Sequence, residues 1–412
     1  MMGTRTRFGI AMLGGFVALA GASAAEDWTQ WRGPARDGTV TSFRQPQSWP
    51  ATLVQRWKIE VGEGYATPVI VGDRIYMFSR KGGNEVMAAL DAATGRTIWE
   101  TPYPAAFTMH SSAARHGAGP KSTPVFSNGK LYAIGMTGQV TAFDASNGRI
   151  LWSKPGNADH LPLYTSHSFS PLIDGGIVVF HVGGHNQGAL TAFDANTGDV
   201  KWSWPGDGPG YGSPLLVEIS GTKQIVTQTQ TKLVGIELAT GTLLWEHPFA
   251  SSNHTNSITP VRYGQSFIIS NNTLPTQAVA VARENNRWVP KVVWENAEVP
   301  MRMSSGVIVG DTFFSMSTRN SGQYFTLDAK TGRTLWTSEP RQGNNVALVK
   351  AGNLVFGLED DGELVVFRPT PTAFEPIRRY KLADTDTWTQ PVIIDNRVFI
   401  KDVTTLALWT WN

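Results

Sequence analysis

Cysteine is missing from all 412 residues of this chain. That excludes disulfides, thiolate metal sites and the lipid-accepting cysteine of a lipoprotein. Excess charge is missing too: the formal net charge is +2. Arg5 and Arg7 supply that excess, and the first 25 residues hold no acid, so the chain without them is neutral. A neutral protein is a poor ligand for nucleic acid or anionic membranes. No Gly-rich phosphate loop precedes a helical pattern, and neither a nucleophile elbow nor a metal motif of fixed spacing occurs. No apolar run is long enough to span a bilayer. The longest, Phe8 to Leu19, follows the two arginines and leads to Ala22-Ser-Ala-Ala25, the make-up of a cleavable export signal. Residues 1–25 are therefore read as a signal peptide, and the mature chain as a soluble periplasmic or secreted protein that is not a lipoprotein.

What the chain has is a repeat. Ala89-Leu-Asp-Ala-Ala-Thr-Gly-Arg-Thr-Ile-Trp99 returns as Ala142-Phe-Asp-Ala-Ser-Asn-Gly-Arg-Ile-Leu-Trp152 and as Ala192-Phe-Asp-Ala-Asn-Thr-Gly-Asp-Val-Lys-Trp202. Looser copies end at Trp245 and Trp336. Each copy reads as strand, tight turn and strand. The Asp and Thr bond turn amides, the Gly supplies a positive φ, and the Trp closes the second strand. The repeated Asp residues are thus structural. Ahead of each copy stands a first strand with an early Pro, as in Ala66-Thr-Pro-Val-Ile-Val71, then a two-residue turn such as Gly72-Asp73 or Asn128-Gly129.

Closing aromatics at Trp57, Trp99, Trp152, Trp202, Trp245, Trp294, Trp336 and Tyr380 are 42 to 53 residues apart, the span of a four-stranded propeller blade. Seven units are complete, and an eighth starts at Trp388 but has room for only three strands. The strand around Trp57 is the natural donor of the fourth. The expected fold is all-β: an eight-bladed propeller over residues 54–412, its last blade closed by the N-terminal strand. Residues 26–53 form an arm whose Trp28 and Trp31 must pack on that body. The tryptophans from Trp57 to Trp336 are expected to dock neighbouring blades. Unit five is expected to have a longer connection between its third and fourth strands.

The Ala-x-Asp-x-x-Thr-Gly-x-x-x-Trp pattern resembles the pyrroloquinoline quinone (PQQ)-like, quinoprotein-type propeller repeat, over roughly Val54 to the C-terminus. That family includes quinoprotein alcohol dehydrogenases and the outer-membrane assembly factor BamB. The arm Trp31-Arg-Gly-Pro-Ala-Arg-Asp-Gly38 is similar to the leader of exported PQQ-like repeat proteins. The resemblance implies either an exported, non-catalytic, BamB-like scaffold or a PQQ-dependent alcohol or sugar oxidoreductase with quinone and calcium in its funnel. No motif here matches the calcium carboxylates or the catalytic Asp of the dehydrogenases, and their vicinal Cys pair is missing. No cofactor is therefore assigned.

Strand order places the irregular polar segments, the second-to-third loops and interblade linkers, on one face, where binding belongs. Candidate ligand- or partner-binding residues there are Lys121, His167, His181 and His185, with Asp207, Arg302, Arg319 and Trp388. The three histidines admit a metal or general-base site, but plain backbone-bonded loop histidines explain them better. Lys121, Arg302 and Arg319 are a cradle for an anion or else solvated cations. Trp388 either stacks on a ring, which admits a carbohydrate-binding or carbohydrate-active propeller, or fills the entry to blade eight. The favoured reading is a monomeric binding or scaffold propeller of the cell envelope, with no catalytic residue and an envelope protein or small polar ligand as its partner.

Overall fold

The structure is a computed structural model that describes Gly3, residues 26–156 and residues 165–411. The segment expected to be an export signal lies, apart from Gly3, outside the described residues. Among the described residues the only helical pieces are two 3-10 turns, Ser111–His116 and Arg319–Ser321. The rest is strand and turn, folded into eight antiparallel sheets arranged as an eight-bladed propeller.

Blade one runs Val69–Val71, Arg74–Lys81, Asn84–Asp91 and Thr97–Pro104, each strand pairing with the next. The following blades repeat this order. Blade eight takes Val392–Ile394, Arg397–Lys401 and Thr405–Thr410 from the C-terminus, and Val54–Glu60 from the N-terminus as its outer strand. The expected closure is what the chain does, so the ring has no unpaired seam.

Each blade carries one β-bulge in its fourth strand. In blades one to six and in blade eight the extra residue stands directly before the tryptophan, as at Ile98, Lys201 and Arg56. A bulge re-aims the side chain that follows it, and here it turns the indole toward the next blade. Trp152, Trp202 and Trp294 donate Nε1–H to Ala195 O, Leu238 O and Ala329 O of the next blade's turn, at 2.9 to 3.1 Å. In blade seven the bulge is Ile377, which puts Arg378 in the tryptophan position. Tyr380 lies two residues further on and donates its hydroxyl to Pro50 O instead. Blade five also departs from expectation. Its third and fourth strands, Thr276–Glu284 and Arg287–Asn296, are longer, and a two-residue Asn285-Asn286 turn joins them. The extra length is paired backbone rather than loop.

The repeat's glycine and tryptophan explain each other across blades. Gly198 has φ +73°, and a Cβ there would lie 2.7 Å from the Trp152 ring of the preceding blade. Gly148, Gly241 and Gly332 meet Trp99, Trp202 and Trp294 in the same way. Gly221 has a similar φ of +75° but opens on empty space. Gly198→Ala should therefore cost about 2–4 kcal/mol and Gly221→Ala only about 1. Urea midpoints of the two variants test this; equal losses would mean that backbone strain alone sets the cost.

The innermost strands need a different solution, because their inner edges face the channel rather than another strand. Their prolines remove one amide each, and neighbouring blades satisfy the amide before it. Thr67 N–H donates to Thr123 Oγ1 at 3.0 Å, Thr123 N–H to Ser170 Oγ at 2.9 Å and Ser170 N–H to Ser213 Oγ at 3.0 Å. The chain of bonds continues through Thr259 and Ser305. Gln390 N–H of blade eight donates to Thr67 Oγ1 of blade one, closing the ring inside as the strand pairing closes it outside. The Ser/Thr-Pro pairs of the sequence are this belt, interrupted at blade seven, where Val346 N–H turns to Ser304 Oγ.

Candidate functional site

One face of the ring carries the short turns, and the arm covers its channel mouth. Trp28 bridges Ile70, Thr39–Val40 pairs in parallel with Lys350 and Ala351, and Arg44 N–H donates to Asp395 O. Between these points Arg32 and Arg36 turn inward and are buried. Arg36 donates to Ser170 O, Pro171 O and Pro214 O at 2.7 to 3.0 Å, and Arg32 to Ser305 O and Gly306 O. Trp31 Nε1–H reaches Thr259 Oγ1 and Phe126 N–H reaches Thr29 O, so the arm touches all eight blades. The loop-bearing face lies opposite the arm.

On that face the linker between blades one and two folds back toward the linker that enters blade eight. Its 3-10 turn, Ser111–His116, brings His116 edge-on to Trp388 at 4.9 Å between ring centroids, and Arg115 lies 5.8 Å above the same indole. Trp388 is half-buried, and its indole N–H is closed off from solvent without an acceptor. Burial lowers His116 to about 4, helped by the charges of Arg115, Lys121 and Arg302 and opposed by Asp386. Lys121 stands at the base of the linker and donates to Gly117 O and Gly119 O; burial pulls it down to about 7.

The histidines of blade three are held by backbone carbonyls and aromatic neighbours. His167 and His181 are buried, and each uses Nε2 on a backbone carbonyl, Gly183 O and Asp207 O, both at 3.1 Å. Burial holds both near 4. His185 packs on Tyr211 and His254. Among the described residues no three His, Asp or Glu side chains gather as metal ligands. Asp207 accepts from Thr229, Thr231 and the Thr231 amide, which fixes the linker into blade four. Arg319 is exposed and donates to Ala297 O, and it is not among the charges acting on His116. Lys121, Arg302 and Arg115 all act on His116 through space, with Asp386 opposing them.

Two features escaped sequence reading. One is the pair of buried arginines, whose only sequence signal is two cations within an apolar, turn-rich arm. The other is a cavity of about 560 Å³ beside blade seven, lined by Gln342, Asn344, Glu359, Asp360, Glu363 and Arg379 among others. Glu359 accepts the Tyr324 hydroxyl at 2.9 Å and lies 3.3 Å from Arg379, which sits closer to Glu363, at 2.5 Å. Burial pushes Glu359 up to about 7 despite Arg379. Glu359-Asp-Asp361 is legible in sequence as a polar loop, but Arg379, on a distant strand, is not.

A family model described as outer membrane protein assembly factor BamB matches residues 83–337 and 290–370. The chain belongs to the BamB family. BamB of Burkholderia pseudomallei (strain K96243) is 26% identical over 358 residues, covering 76% of this chain and 88% of that protein. Quinohemoprotein alcohol dehydrogenase ADH-IIG of Pseudomonas putida is 30% identical over 134 residues, which cover 31% of this chain and only 17% of that enzyme. The crystal structure of BamB from Moraxella catarrhalis superposes with a TM-score of 0.62 at 16% identity, over 87% of this chain and 100% of that one. That last likeness is one of fold. No helix among the described residues of this BamB-family chain is long and apolar enough to cross a membrane.

Proposed function

We propose that this protein is an exported, non-catalytic propeller of the bacterial envelope that binds a protein partner through its loop face, as an outer-membrane assembly factor. The observation that carries this reading is the BamB match along most of both chains, whereas the dehydrogenase match covers a small part of that enzyme. The site agrees with it. A quinone and calcium would need carboxylates gathered at the channel mouth; Glu63, Asp386 and Asp402 lie among the cations there, but no three described acids gather as metal ligands. The chain also has no cysteine to place against a quinone. These residues do not fit the cofactor, and no redox step is assigned. The signal-like composition of the first 25 residues supports a periplasmic location.

The test is to delete the coding sequence in its host and to isolate the tagged protein from envelopes. Expected are reduced levels of outer-membrane β-barrel proteins and co-isolation of the barrel-assembly machinery. Saturable PQQ binding with dye reduction, together with normal barrel levels, would overturn the reading in favour of an oxidoreductase.

A further inference from the structure

Seven of the eight seams between blades are fastened alike, by a tryptophan that a bulge turns onto the next blade. The seam between blades seven and eight is built differently. The tryptophan position of blade seven holds Arg378, which is exposed. On the facing side the third and fourth strands of blade eight come from the two chain ends, so no turn joins them to receive a ring. The end of the arm fills the place. Phe43 packs on Phe356 of blade seven at 5.5 Å between ring centroids and on Trp411, after the third strand of blade eight, at 5.8 Å. Trp49 packs on the same two rings at 5.7 and 5.5 Å. Arm carbonyls accept from both blades: Arg44 O from the Trp411 indole N–H at 2.9 Å, Trp49 O from Arg378 at 3.4 Å and Pro50 O from the Tyr380 hydroxyl at 2.8 Å. A Cβ on Gly352, in the first turn of blade seven, would meet the Phe43 ring at 3.2 Å, whereas Gly72, Gly264 and Gly310 in the same turn of other blades open on empty space.

The inner edge of this seam is tied within the ring itself. Gln390 Nε2–H donates to Leu348 O, and Thr387 donates its amide to Asp360 O and its hydroxyl to Glu359 O. The polar cavity of blade seven marks the loop-face end, where Asp386 of the linker into blade eight joins its wall. The arm is a lighter fastening than a docking tryptophan. Gln45, Gln47 and Ser48 are exposed, and Phe43 and Trp49 are half-buried, whereas Trp152, Trp202, Trp245 and Trp294 are buried. Segments with few buried contacts open at a lower free energy than the fold as a whole. We propose that the arm is a latch on this one seam. While residues 43–50 are seated the ring is locked. When they lift, blades seven and eight part at their outer edge about a hinge at Gln390 and Thr387. The arm runs on directly into Val54–Glu60, so lifting it also loosens the strand that closes blade eight.

The chain has no cysteine, so a single introduced thiol reports the opening of one seam. Val366 stands on the blade-seven face that packs toward blade eight, and Val179 on the blade-three face toward blade four; both are fully buried. Val366→Cys and Val179→Cys are each labelled with N-ethylmaleimide in the full mature chain under native conditions, and the rates are read by mass. Adding Phe43→Ala/Trp49→Ala should speed labelling of the first about tenfold or more and leave the second unchanged. Tyr380→Phe, which removes only the bond to Pro50 O, should speed the first about fivefold. This milder variant decides the matter if urea unfolding shows that the double arm variant does not fold. Acceleration of both thiols alike, or of neither, would overturn the latch. Neither barrel-protein levels nor partner isolation enters the measurement, so the latch and the scaffold reading fail separately.

Discussion

Arg36→Ala should lower stability by about 3–5 kcal/mol, among the largest losses expected of any single arm substitution. The reason lies in the inner strands. Ser170 O, Pro171 O and Pro214 O point into the channel, where no strand can pair with them, and the Arg36 guanidinium satisfies all three. Removing it leaves buried carbonyls without donors, each costing about 1–3 kcal/mol. Arg36→Lys should recover little, since an ammonium has three donors where the fork has five and cannot reach blades three and four together. Arg32 repeats the arrangement toward blade six, so the double Arg32→Ala/Arg36→Ala variant should also release the arm. Urea unfolding measures the first effect, and limited proteolysis with mass analysis of fragments cut within residues 26–50 measures the second. A loss under about 1 kcal/mol would mean that water replaces the guanidinium freely and that the channel is wet.

The ring and its closure were legible because they rest on local chemistry. The Asp-x-x-Thr-Gly turn, the two-residue hairpins and the terminal tryptophan announce strands and their order, and a three-stranded remainder announces a borrowed fourth strand. Blade seven shows the limit. Residue types alone make Tyr380 its closing aromatic, but the tryptophan position is set by a bulge, and a bulge is a matter of register that residue types do not encode. Arg378 takes the place because Ile377 is the extra residue. The site was less legible for a related reason. Lys121 and Arg302 were recognisable as cations of the binding face, yet their third member is Arg115 rather than Arg319. Which linker folds back onto its neighbours depends on its length and on what its tip meets, here Trp388. The arm was readable as something that must pack, from its two tryptophans. That its arginines enter the channel follows only from the carbonyls waiting there.

Acid should destabilise the protein between about pH 6.5 and pH 4, through two histidines of blade three. His167 and His181 are buried and held near 4, below the ordinary histidine value of 6.5. Burial is the main cause in both, and the bonds to Gly183 O and Asp207 O only partly offset it. A depressed folded-state value means that the unfolded chain takes up protons first as pH falls. The stability these neutral imidazoles provide is therefore complete above pH 6.5 and lost as pH falls toward 4. At about 1.4 kcal/mol for each pH unit of displacement, each residue accounts for roughly 2–3 kcal/mol between pH 7 and pH 4.5. Glu359 works the other way. Raised to about 7, it stabilises the fold fully below about pH 4.5 and loses that contribution as pH rises through 7, which offsets roughly one histidine in the same window. These three groups together give a net loss of about 2–3 kcal/mol on acidification, and His116 and His185, also held near 4 by burial, act in the same direction. His167→Gln/His181→Gln keeps an N–H for each carbonyl but cannot take up the proton. It should remove roughly 4–6 kcal/mol of that acid loss, so the variant weakens clearly less than the wild type between pH 7 and pH 4.5, and urea midpoints at the two values measure it. A double variant as acid-sensitive as the wild type would show that other groups set the acid limit.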